Sequence, residues 1–213
     1  MKVNKLGICM KMTVLKAKVA ALIAGLLLAG SAHANLIVNG SFEDNQVASG
    51  GWSWFSSSNV NGWEGSNIEI WNNLFGIPAV EGSQIAELNA DGGNSGAWSI
   101  FQSFSTVVGQ TYDVAFSYRA RETSDLFQFT LASINNTFIN NDTSQWKLFT
   151  NSFVATSTLS TLTFTSLNLG TMGNLLDDVK VTTRASVPEP TTIALFAIGL
   201  LSLGLMRRRS KIQ

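Results

Sequence analysis

Tyr112-Asp113-Val114-Ala115-Phe116-Ser117-Tyr118-Arg119 alternates without a break. Tyr112, Val114, Phe116 and Tyr118 fall on one side of an extended chain, and Asp113, Ala115, Ser117 and Arg119 on the other. A period of two predicts a β-strand with one face in a core and one in water, because successive side chains leave a pleated backbone on opposite sides. Phe127, Phe129 and Leu131 repeat the pattern, and Leu162, Phe164 and Ser166 do so more weakly. Segments rich in Phe, Val, Thr or Ile run over 98–104, 111–119, 126–134, 146–154, 159–167 and 175–181, with Gly, Asn, Asp and Ser gathered between them. Such punctuation marks strands joined by turns. No stretch of residues 35–184 shows an apolar i, i+3, i+4, i+7 stripe of helical length. The expected fold is all-β: a single antiparallel β-sandwich of jelly-roll type.

On either side of this domain the composition changes. Lys2, Lys5, Lys11, Lys16 and Lys18 precede an uncharged run from Val19 to Gly30, which ends in Ser31-Ala32-His33-Ala34. The order basic, apolar, small is that of a secretory signal peptide, with Ala32 and Ala34 forming the A-x-A cleavage pattern. The apolar run is too short to cross about 30 Å of hydrocarbon as a helix. It is also apolar on every face, which argues against an amphipathic helix of a cytosolic domain. Residues 1–34 are therefore read as a signal peptide, routed through the Sec translocon and signal peptidase, and 35–184 as the exported domain.

Residues 185–213 form a third region. Val187-Pro188-Glu189-Pro190 precedes an uncharged apolar run over 191–206, and Arg207, Arg208, Arg209 and Lys211 lie in the basic end over 207–213. The run is short for a membrane-spanning helix, and the arginine cluster favours the cytoplasmic side, which leaves 35–190 outside. Two prolines hold the segment before it extended, as a protease substrate must be. This order of Pro-Glu-Pro, apolar helix and terminal arginines resembles the PEP-CTERM signal of Gram-negative surface proteins. The resemblance implies membrane insertion through the C-terminal helix, recognition by an exosortase and removal of the tail near Pro188 to Pro190. It also implies delivery of the domain to the cell envelope, outer surface or extracellular matrix of bacteria that make exopolysaccharide and biofilm. A plain single-span anchor and a lipid-anchor signal are the rivals, although the latter normally ends apolar.

Once both ends are set aside, residues 35–184 carry five basic and thirteen acidic residues, a net charge of −8. That charge disfavours nucleic acid and anionic membrane surfaces as partners. The lone Cys9 and lone His33 lie in the signal peptide. The exported domain thus has no disulfide, no Cys or His metal ligand, and no Ser-His or Cys-His nucleophile pair.

A set of segments in order resembles galactose-binding-domain-like jelly rolls of carbohydrate-binding modules. These are Asn35 to Glu43, Gln84 to Asn89, Asn94-Ser95-Gly96, Ile100-Phe101-Gln102, Gly109 to Phe116, Tyr118 to Arg121 and Leu176 to Val181. The resemblance implies a structural calcium ion held by Glu43 and Asp178, with Asn39 contributing through its carbonyl. Hard oxygen donors are what Ca²⁺ selects; strand-end turn residues are the plainer reading of the same acids. The Asp91-Gly92-Gly93-Asn94 stretch reads as a Gly-rich turn.

Gly50 to Asn73 holds Trp52, Trp54, Trp63 and Trp71 among Gly, Ser and Asn. Sugar recognition needs aromatic faces for pyranose C–H groups, with amides or carboxylates nearby for the hydroxyls. These four tryptophans, with Asn67 and Arg119, are the candidate glycan-binding residues; the alternative is that two of the four fill the core. Trp98 and Trp146 are expected in the core. Neither Glu64 with Glu69 nor Glu81 with Glu87 shows the sequence signature of a catalytic carboxylate pair. The sequence therefore reads as a non-catalytic glycan-binding module, not an enzyme. A structural or adhesive matrix protein and a weak glycoside hydrolase are the alternatives.

Overall fold

The computed structural model describes residues 34–90, 98–140 and 142–184. Among the described residues eleven strands occur in chain order: β1 Gly51–Phe55, β2 Glu64–Gly65, β3 Ile68–Asn72, β4 Gln84–Glu87, β5 Ser99–Ser105, β6 Thr111–Arg119, β7 Asp125–Leu131, β8 Ile134–Asn140, β9 Lys147–Val154, β10 Leu159–Ser166 and β11 Leu175–Thr183. They build two antiparallel sheets, β1-β3-β4-β11-β6-β9 and β2-β5-β10-β7-β8. The signal peptide, the Asp91 to Asn94 turn and the tail with its Pro188, Glu189, Pro190 and Arg207 to Arg209 lie outside the described residues. Among the described residues no helix is long and apolar enough to cross a membrane.

β6 takes the predicted form from end to end, with Tyr112, Val114 and Phe116 buried. Phe116 projects from the first sheet among rings of the second: its centroid lies 4.8 Å from Phe129, 4.9 Å from Phe164 and 6.3 Å from Phe127. Phe149 of β9 and Phe138 of β8 complete the group, 4.8 and 6.0 Å away. The stretch 126–134, expected as one strand, contains a reversal. Ala132 sits at φ 51° between β7 and β8, and the segment becomes a hairpin.

β3 and β4 show no usable alternation because nearly every residue in them is buried. Their inner face joins the main core. Their outer face lies under a second, small core in which Trp71, Ile85 and Leu175 are covered by Leu74, Ile77, Ala79 and Trp146. The covering segment is fixed by hydrogen bonds: Asp177 Oδ2 accepts from Val80 N (2.6 Å) and Glu81 N (3.0 Å), and Trp146 Nε1 donates to Pro78 O (2.9 Å).

Phe116→Ala is expected to destabilise the exported domain by about 3–5 kcal/mol in chemical denaturation, through lost burial and a cavity between the sheets. Leu169→Ala, at an 82%-exposed loop position, should change stability by less than about 0.5 kcal/mol.

Candidate functional site

The four candidate tryptophans divide in two. Trp52 and Trp54 lie on edge strand β1, two residues apart and therefore on one face, and each is 52% exposed. Trp63 is buried against Phe42 at 5.1 Å, and its Nε1 donates to Asn39 O. Trp71 is fully buried beneath the 74–79 segment, and its Nε1 donates to Glu69 Oε1 at 2.6 Å. Trp63 and Trp71 are thus removed from the ligand-facing set. Of the tryptophans expected in the core, Trp146 packs on the outer cluster and Trp98 is half-buried.

Register places polar groups next to the two exposed rings. Trp54 pairs with Glu69 and Trp52 with Trp71 across β1 and β3, and Glu69 pairs with Glu87 across β3 and β4. Directly paired residues share a face, so Trp52, Trp54, Trp71, Glu69 and Glu87 all stand on the outer side of the first sheet. Arg121, just after β6, bonds both Glu87 oxygens through Nη1 at 2.8 and 2.9 Å and lies over the Trp71 ring at 5.0 Å. Gly173 N also donates to Glu87 (2.9 Å).

Burial raises the pKa of Glu69, opposed by its bonds to Trp71 and Glu87. Burial pushes Glu87 up to about 8 against the pull of Arg121. The two carboxyls touch through a hydrogen bond, so the pair retains a proton well above the usual carboxylate range. This pair joins positions eighteen apart on neighbouring strands; no local motif announces it.

The other expected residues lie elsewhere. Asn67 is half-buried just before β3. Arg119 donates from Nη2 to Thr143 O and anchors the loop before β9. Three strands intervene between its strand and β1, about 19 Å at the usual strand spacing, so it does not join the Trp52 and Trp54 patch.

For the implied calcium ion, the donors are of the right chemistry but are already engaged. Glu43 accepts from Ser83 N (2.7 Å), Ser83 Oγ (3.1 Å) and Gln84 N (2.6 Å). Asp178, at φ 54° in the β11 bulge, holds Lys180 Nζ at 2.5 Å and contacts the Glu81 carboxyl, whose pKa rises mainly for that reason. Asn39 O accepts from both Phe42 N and Trp63 Nε1, which occupies its lone pairs and removes it from the donor set. Among the described residues no three His, Cys, Asp or Glu side chains are grouped as a metal site. A divalent ion bound here would take the place of the Lys180 ammonium.

Residues 186–209 match the PEP-CTERM protein-sorting motif. That motif marks the chain as an exported protein tethered transiently at a membrane. No curated protein matches the chain. Solved structures similar to it include carbohydrate-binding modules. A family 4 module is 19% identical with a TM-score of 0.42, covering 70% of this chain and 99% of its own. TmCBM61 in complex with β-1,4-galactotriose is 14% identical with a TM-score of 0.46, covering 71% and 99%. The CBM22-1 xylan-binding domain of Xyn10C from Paenibacillus barcinonensis is 15% identical with a TM-score of 0.44, covering 74% and 100%.

The buried acids give stability a defined pH dependence. Asp177 is raised to about 7, again by burial. A carboxyl whose folded pKa exceeds its unfolded value stabilises fully below the unfolded pKa and loses that contribution as pH rises through the folded one. The melting temperature of the exported domain should therefore fall between about pH 4.5 and about 8. Glu69→Gln, whose amide donates to Glu87, and Asp177→Asn should each flatten the slope in melts at pH 5–9; slopes unchanged in both would contradict the assignment.

Proposed function

We propose that residues 35–184 are a non-catalytic glycan-binding module, sorted by the tail to the cell surface or extracellular matrix, where it associates with exopolysaccharide. Export runs through the Sec translocon, signal peptidase acts after Ala34, and an exosortase processes the tail near Pro188 to Pro190. The observation that carries the glycan reading is the exposure of Trp52 and Trp54 on one face of an edge strand. An exposed pair of large aromatic rings marks an interaction surface, and their faces suit pyranose C–H groups. Asn67, half-buried just before β3, supplies a polar group for hydroxyls.

The same face favours binding over hydrolysis. Glu69 and Glu87 are in hydrogen-bond contact, whereas glycosidase carboxyl pairs stand about 5 Å or more apart to flank the scissile bond. Glu87 is also held by Arg121 and fully buried, out of reach of a substrate.

A structural calcium ion held by Glu43 and Asp178 is part of this proposal. It would neutralise carboxyls that now crowd one another around a single lysine. Glu43 and Asp178 supply hard carboxylate oxygens, as calcium prefers.

In polysaccharide pull-down or glycan-array binding of the exported domain, Trp52→Ala and Trp54→Ala should each weaken retention about tenfold, roughly 1.4 kcal/mol. Trp98→Ala, away from this face, should not. Retention by no polysaccharide would defeat the reading in favour of an adhesive role. For calcium, EDTA should lower the melting temperature and millimolar Ca²⁺ restore it; identical melts with and without chelator, in wild type and Asp178→Asn, would exclude the ion.

A further inference from the structure

The loops joining β5 to β6 and β9 to β10 meet at one rim of the sandwich. Gly109 N donates to Ala155 O (2.8 Å), Ala155 N to Gln110 O (3.0 Å) and Thr106 N to Thr158 O (2.9 Å). At this rim Val107, Val108, Val154 and Leu159 are 67%, 59%, 53% and 58% exposed. Residues 103–111 and 154–160 contain no charged side chain, in a domain whose net charge is −8.

The chain leaves the fold at the same rim. Arg184 N donates to Thr111 O (2.9 Å) and Gln110 Nε2 to Arg184 O (3.1 Å). The sorting motif starts at residue 186. Only residues 185–190 separate Arg184 from the apolar run that begins at Thr191, a reach of about 20 Å even when fully extended.

We infer that this rim is a membrane-docking surface: while the tail is held in the bilayer, Val107, Val108, Val154 and Leu159 rest on the lipid interface of that bilayer. Two arguments favour lipid over other occupants. A short tether keeps the rim near the membrane at an effective concentration in the millimolar range, so a weak apolar contact suffices. The two loops carry no charge and the Arg184–Asp113 pair beside them is mutually neutralised, which lets the rim approach anionic headgroups that repel an acidic surface within a Debye length. The Glu87 and Arg121 network lies by the other end of β11, where Leu175 pairs with Glu87 and Arg119. At eight residue steps from Thr183 this is about 26 Å along the strand, so docking leaves the network away from the lipid.

The domain has no cysteine, which permits a single-label test. The full chain, with Cys9→Ser and either Val108→Cys or Leu169→Cys, is labelled with an environment-sensitive fluorophore and reconstituted in vesicles of phosphatidylethanolamine and phosphatidylglycerol. The Val108→Cys label should shift to the blue and be quenched by spin-labelled lipid. The Leu169→Cys label, in an equally apolar loop at the opposite end, should keep its aqueous emission. Adding Val107→Ser and Leu159→Thr should abolish the shift at Val108→Cys, with an unchanged melting temperature showing that the fold is intact. No shift, equal shifts at both sites, or a shift without lipid quenching would overturn the inference; the last outcome would mean that the tail or a second copy covers the rim. The inference rests on insertion of the tail, which resistance of the chain to alkaline extraction checks separately.

Discussion

Phe116 is the contact through which the two sheets recognise each other. It stands on β6, between β11 and β9, and meets Phe129 and Phe164 on two adjacent strands of the opposite sheet. An exported domain without cysteine has burial as its main source of stability, and aromatic rings supply the most buried area per residue. Fixing Phe116 inward fixes the parity of β6, and hydrogen-bonded register carries that parity across the sheet to β3 and β1. The outward position of Trp54 and Glu69 is thus a consequence of where Phe116 points.

The strands with one wet face were legible because water imposes alternation on them. β6 and β10 appear in the sequence close to their structural limits, and β9 nearly so. β3 and β4 were not, since a second core on the outer face removes the contrast between their two sides. The tryptophans show the same limit. Trp52 and Trp71 are paired neighbours on one face, yet one is half exposed and the other fully buried. The difference is the 74–79 segment, folded over Trp71 by contacts to Asp177 and Trp146 that come from about a hundred and about seventy residues away. No pattern within Gly50 to Asn73 encodes that cover. The acid pair was hidden for a related reason: Glu69 and Glu87 meet only through register.

That cover also explains why three acids are buried on a face that would otherwise be solvated. Asp177 accepts the backbone N–H groups that begin the 80–84 turn, while Glu69 satisfies the Trp71 indole and Glu87 the Gly173 amide. Each of these donors thereby finds an acceptor, at the cost of desolvating the carboxyls. The raised pKa values record that cost. Buried ion pairs of this kind add little net stability over apolar packing but penalise every arrangement that leaves one member unpaired. Here they fix the loop over Trp71 and, with it, the boundary between the covered and open parts of the sheet face.

Electrostatics constrains what the open part can hold. Arg121 is bonded to Glu87, Lys180 to Asp178 and Arg184 to Asp113, while Arg119 is turned to a backbone carbonyl. The domain therefore has a large excess of acid and has its guanidinium groups already engaged. A polyanion approaching Trp52 and Trp54 would meet repulsion at long range and would have to break an existing bond to gain a cationic partner. A neutral polymer meets neither obstacle, since stacking on indole and hydrogen bonding to Asn67 require no free charge. The same acidity that disfavours nucleic acid would likewise disfavour glycans with a high density of negative charge.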